Sequence, residues 1–90
     1  MFLHIGEGKI VKKGEIVGIF DLETTSISKK TREFFRINDK KGNITYISDE
    51  IPKTYIICNS DKDKKVYMTQ ISSNTLHKRA ERIDSIGTEN

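Results

Sequence analysis

The sequence predicts a small α+β domain: a mostly antiparallel β-sheet with two helices, in the order β-β-β-α-β-β-β-α. Three observations lead there. Short apolar or β-branched stretches of strand length recur at 2–5, 9–11, 16–20, 43–48, 54–58 and 65–71. Two segments, 29–41 and the stretch from residue 73, carry their apolar residues at helical spacing instead. Finally, 90 residues leave no room for a second core. The domain is placed at residues 1–85, with residues 86–90 as a frayed tail.

The elements follow in order. Gly6-Glu7-Gly8 reads as a turn between the first two strands. Ile16-Val17-Gly18-Ile19-Phe20 is apolar on both faces and is expected to be a central strand, with Gly18 marking a bulge or a close backbone approach. A polar connection rich in Thr and Ser runs from Leu22 to Ser28, where Ser28 can cap a helix. At 100° per residue, Thr31, Phe34, Phe35 and Asn38 share one side of that helix. Lys29, Arg32, Arg36 and Lys40 form a stripe opposite. Gly42 suits the C′ position because it takes positive φ without a Cβ penalty. Pro52 lies in the next connection, and Asn59 to Lys64 reads as a charged hairpin loop. Ser72 or Ser73 can cap the last helix, which lines up Leu76, Ala80 and Ile83.

Composition narrows the class of function. The apolar share is 34%, with no Trp, so a lone monomer has a thin core. Self-association is one remedy, since contact between copies buries area the monomer lacks. The single cysteine, Cys58, cannot form an intrachain disulfide, which suits a reducing compartment. The first residues lack the basic-then-apolar order of a signal peptide, and no apolar run reaches the ~18 residues of a membrane span. A cytoplasmic protein without a membrane partner is expected.

Constellations that would carry chemistry fail on spacing. Gly6-Glu7-Gly8-Lys9 lacks the four residues between glycines, and the Ser or Thr after Lys, that a phosphate loop needs. Asn59, Asp61 and Asp63 open like a calcium loop, but Lys64 stands where Gly is required and Gln70 where Glu is. His4, Cys58 and His77 are the soft metal ligands and none neighbours another, so no metal is expected. Asp21 and Glu23 at a strand end read as turn or salt-bridge residues. Nothing around Cys58 or Ser72 supplies a base for a nucleophile. Neither an enzyme, nor a cofactor, nor a small-molecule substrate is expected.

Charge is informative by its placement. The formal net charge is +3, yet residues 28–42 hold six cations against two acids. Lys29 and Lys30 open the helix and Arg32 follows, where cations oppose the positive end of the helix dipole at roughly 0.3–1 kcal/mol each. An anionic partner would reverse that sign, because helix N-termini and cations both attract phosphate. A solvated lysine-rich face is the plainer reading of the same residues.

The start Met1-Phe-Leu-His-Ile-Gly, the block Asp21-Leu-Glu-Thr-Thr-Ser-Ile-Ser-Lys-Lys-Thr-Arg-Glu-Phe34 and Pro52-Lys-Thr-Tyr-Ile-Ile57 fall into one pattern. Lys65-Val-Tyr-Met-Thr-Gln-Ile-Ser-Ser-Asn-Thr-Leu-His-Lys-Arg-Ala80 completes it. Over about residues 1–80 the chain resembles the extracellular matrix regulator RemA/RemB family of Gram-positive bacteria, the RemB type most closely. That resemblance implies a LytTR-like subunit fold and homo-oligomeric rings. It also implies transcription regulation of biofilm matrix genes through basic residues that contact DNA. By the same resemblance, Lys29, Lys30 and Arg32 match a basic pair that opens a helix, and Lys12 and Lys13 match a second basic region. Asp49-Glu50-Ile51-Pro52-Lys53 stands where RemA-type proteins carry an arginine-rich segment.

The expected function is therefore an oligomeric, DNA-binding transcriptional regulator that recognises backbone and shape. Its candidate contacts are Lys29, Lys30, Arg32 and Arg36, assisted by Lys12, Lys13 and Lys53. The alternative is an oligomeric adaptor or structural protein that binds another regulator rather than DNA.

Overall fold

A computed structural model describes residues 1–22, 28–60 and 63–88, and side chains as far as residue 82. The elements are β1 (Phe2–Gly6), β2 (Lys9–Lys12), a 3-10 turn (Lys13–Glu15), β3 (Ile16–Asp21), α1 (Lys29–Lys40), β4 (Ile44–Tyr46), β5 (Thr54–Ser60), β6 (Asp63–Thr69) and α2 (Ser73–Thr88). This is the expected α+β order. Strands β1 and β2 form an antiparallel hairpin, and the other four make a sheet in the order β3-β5-β6-β4. β5 runs antiparallel to both its neighbours, whereas β4 pairs with β6 in parallel. β3 and β4 thus point the same way at opposite edges, so the connection holding α1 has to cross a face of the sheet.

Side-chain alternation along β5 assigns the two faces. Thr54, Ile56 and Cys58 point to one side and are buried with Tyr67 and Thr69 of β6. That side packs against Leu3, Ile5 and Val11 of the hairpin and Leu76 of α2, with Ala80 at its margin. Tyr55 and Ile57 point to the other side, where α1 lies. There Phe20 stacks on Tyr55 at 4.9 Å between ring centroids, and Phe35 meets Tyr55 edge-on, also at 4.9 Å. The layers are helix, sheet, then hairpin with α2.

Local chemistry explains both helix starts. The Thr31 N–H donates to Ser28 Oγ at 3.1 Å, and the Thr75 N–H donates to Ser72 Oγ at 3.2 Å, so each helix opens on a Ser three residues before a Thr. At the end of α1, Gly42 sits at φ +73°. Its N–H reaches Asp39 O at 3.0 Å while the Asn43 N–H reaches Asn38 O at 2.9 Å, the paired bonds of a Schellman cap. The Asn38 side chain, buried on this end, donates to Phe34 O at 2.8 Å and accepts from Asn43. The buried hydroxyls are likewise satisfied. Thr69 Oγ1 donates to Ile5 O at 2.6 Å, tying hairpin to sheet, and Thr54 Oγ1 donates to Ile71 O at 2.8 Å.

Several expectations change. Ile16–Asp21 is an edge strand, not a central one, because among the described residues it pairs with β5 alone. Its apolar character on both faces reflects a sheet covered on both sides. Val17, displaced at the register shift between Ile16 and Gly18, is 62% exposed. A Cβ at Gly18 would lie 2.5 Å from the Phe20 ring, so a side chain there would force that ring to shift. The β5–β6 pairing continues to Ser60↔Asp63, so the hairpin loop is shorter than 59–64; its tip at 61–62 lies outside the described residues. The same holds for 23–27 in the connection before α1 and for the Ile83 side chain. Helical backbone extends to Thr88, into the segment expected as a tail.

This packing makes two predictions for denaturant midpoints. Leu76→Ala, which empties a fully buried position, should lower stability by about 2–5 kcal/mol. Ser28→Ala removes the α1 cap and should lower it by about 1 kcal/mol.

Candidate nucleic-acid interface

The α1 cations stand where the docking of the helix leaves them. Phe34 and Phe35 are half-buried and Asn38 is buried toward the sheet, so Lys29, Lys30, Arg32 and Arg36 face solvent. The first turn holds no acidic residue. Among the described residues, Lys29, Lys30 and Arg32 have no ion-pair partner. Arg36 differs. Its guanidinium grips the Glu33 carboxylate through Nε at 3.1 Å and through Nη2. That hydrogen bond raises the pKa of Arg36 and lowers that of Glu33. A phosphate reaching Arg36 would have to compete with Glu33.

The remaining sequence candidates do not join this surface. Lys12 is exposed on β2 and Lys13 is half-buried in the 3-10 turn; both belong to the hairpin layer across the sheet from α1. Lys13 Nζ donates to Ala80 O at 3.1 Å, which makes it a strut between the turn and α2. Lys53 is exposed in the connection entering β5, where its own backbone holds the end of the sheet together: N–H to Thr69 O at 2.9 Å, C=O accepting from Leu22 at 2.8 Å. The seven residues thus occupy three places.

Beside β2 the structure opens a cleft of about 210 Å³ that the sequence reading missed. Lys9, Lys12 and Lys65 line it together with Glu15 and Asp63, over a floor that includes Cys58 and Tyr67. The Lys9 ammonium lies 5.3 Å from the Tyr67 ring centroid, a cation–π contact. The signal for this cluster was the strand register. Cys58↔Lys65 and Phe2↔Lys12 set these residues beside one another only once the strands are paired. Exposed His77, Lys78, Arg79 and Arg82 on α2 were also passed over; Arg79 Nη1 donates to His4 O at 3.2 Å.

The constellations set aside on spacing have structural roles or no shared geometry. Gly6, Glu7 and Gly8 form a turn with all three φ positive. Asn59 and Asp63 are ladder residues opposite Lys64 and Ser60, and Asp61 lies outside the described residues. Asp21 accepts from Ser73 Oγ at 3.4 Å, while Glu23 is outside the described residues. His4 is exposed on the hairpin opposite Ile10. Among the described residues no three His, Cys, Asp or Glu side chains are grouped to hold a metal, and no helix is long and apolar enough to cross a membrane.

Two comparisons bear on this arrangement. The family model described as RemA-like, Extracellular matrix regulatory protein A-like, matches residues 2–80. Extracellular matrix regulatory protein B of Bacillus subtilis (strain 168) is 30% identical over 81 residues, covering 90% of this chain and 91% of that protein.

The cleft floor supplies a prediction. Burial pushes the Cys58 thiol up to about 11, and the Glu15 carboxylate adds to the rise. The folded state thus favours the protonated thiol. Its contribution to stability is full below the ordinary value of 9.0 and is lost as pH rises through about 11. Native protein at neutral pH should resist thiol alkylation, and unfolding should release the reaction. Equal rates in both states would contradict the burial.

Proposed function

This chain belongs to the RemA-like family of extracellular matrix regulatory proteins, and on that premise we propose that it is an oligomeric, DNA-binding transcriptional regulator of matrix genes, working in the cytoplasm by binding rather than by catalysis. The observation that carries the reading is the opening of α1. Lys29, Lys30 and Arg32 project into solvent from the first turn of a capped helix, with no acid among them to balance the dipole. Such a turn is unfavourable alone and favourable against phosphate.

Recognition in this reading is of backbone and shape, since Lys and Arg neutralise phosphates without reading bases. Lys29, Lys30 and Arg32 make the first contacts. Arg36 adds one only by leaving Glu33. Lys12 and Lys53 lie off the helix and reach DNA only if it bends around the molecule or meets a neighbouring copy. Lys13 is withdrawn by its bond to Ala80 O. A three-cation patch on a chain of net charge +3 binds weakly alone, and repetition around an oligomer multiplies it by avidity.

The test is a double variant, Lys29→Glu with Arg32→Glu, measured by fluorescence anisotropy on a long AT-rich duplex at low salt. Binding should fall by roughly tenfold or more, with the sedimenting mass unchanged. Arg36→Ala should weaken binding less than Arg32→Ala. Undiminished binding by the double variant would overturn the assignment.

A further inference from the structure

The cleft beside β2 contains a nearly buried donor that the fold leaves unused. Tyr67 lines it at 7% exposure, and its hydroxyl has no hydrogen-bond partner among the described residues. A phenol buried to that degree ordinarily finds an acceptor. The buried hydroxyls of the same sheet do so: Thr54 Oγ1 donates to Ile71 O and Thr69 Oγ1 to Ile5 O. Burial also raises the pKa of the Tyr67 phenol, so at neutral pH the hydroxyl keeps its proton for donation.

The rest of the lining fits an anion. Lys9, Lys12 and Lys65 border the cleft, and among the described residues none of them has an ion-pair partner, although Glu15 and Asp63 line the same space. The Lys9 ammonium is 5.3 Å from the Tyr67 ring centroid, so cation and phenol lie side by side. Three lysines against two carboxylates leave one positive charge, which suits a monoanion and opposes a phosphate dianion. Phe2 and Ile10, 54% and 44% exposed, add apolar surface. The volume of about 210 Å³ equals roughly seven waters of bulk liquid, below the range of drug-sized sites. The occupant is therefore a single ring or a short chain.

We propose that this cleft binds a small monocarboxylic acid whose body is one ring or a short apolar chain. The carboxylate accepts from the Tyr67 hydroxyl and lies among the ammonium groups of Lys9, Lys12 and Lys65. The body rests against Phe2 and Ile10. Glu15 and Asp63 limit the excess of positive charge and so select against more highly charged anions. A hydrogen bond to a charged acceptor on a largely buried floor is stronger than the same bond in water. The site belongs to the hairpin side of the sheet, across from α1, and does not rest on the DNA contacts proposed for that helix.

Titration of the chain with benzoate, followed by two-dimensional amide NMR, tests the assignment. Shifts should saturate and centre on Ile10, Cys58 and Tyr67, with a Kd of about 1 mM or tighter. Benzyl alcohol, which lacks the charge, and inorganic phosphate, which lacks the body, should each bind at least about tenfold more weakly. Tyr67→Phe should weaken benzoate about tenfold with the denaturant midpoint unchanged, because the hydroxyl has no partner within the described fold to lose. Lys9→Glu with Lys65→Glu, both at exposed positions, should abolish binding. Lys29→Glu with Arg32→Glu changes the net charge equally and should leave benzoate binding intact. Several results would overturn the proposal: shifts that never saturate or that centre elsewhere, benzyl alcohol binding as tightly as benzoate, or equal losses in the two charge variants. Tyr67→Phe that keeps full affinity, or that loses stability instead, would overturn it too.

Discussion

Everything in this fold depends on β5 carrying two alternating apolar sets in seven residues. Thr54, Ile56 and Cys58 serve the core shared with the hairpin and α2, while Tyr55 and Ile57 serve the face under α1. A sheet clothed on both faces confines α1 to one of them and directs its polar side outward. The aromatic contacts Phe20–Tyr55 and Tyr55–Phe35 anchor that helix, and their geometry decides which of its residues reach solvent. The exposure of Lys29 and Arg32 follows from the position of Phe34 and Phe35 on the same helix.

Much of this was legible in the residues because the signals are local. Ser28 and Ser72 mark helix starts, Gly42 marks a helix end, and β-branched runs mark strands. Which strands become neighbours is a long-range matter, and there the sequence was less informative. The apolar run at Ile16–Asp21 reports that both faces of its sheet are covered, which is compatible with an edge. The parallel pairing of β4 with β6 has no local signature at all.

The candidate site divides the same way. The basic stripe of α1 followed from helical spacing alone. Arg36 and Glu33 were three apart on that helix, so their pairing was open to the same arithmetic. The tie between Lys13 and Ala80, 67 residues apart, was not. Nor was the cluster of Lys9, Lys12 and Lys65, which exists only after two hairpins have formed and met. Cations from distant segments converge by topology, and no spacing rule finds them.

The central claim is that unpaired cations on a capped helix meet the phosphate backbone, repeated over an assembly. The most direct measurement is the affinity of wild-type protein for a long duplex across a series of salt concentrations. The logarithm of affinity should fall linearly with the logarithm of salt, with a slope of about −0.9 for each phosphate neutralised. A steep slope, exceeding what Lys29, Lys30 and Arg32 of one α1 can supply, is the predicted result. Folded protein that fails to bind even at the lowest salt would contradict the account.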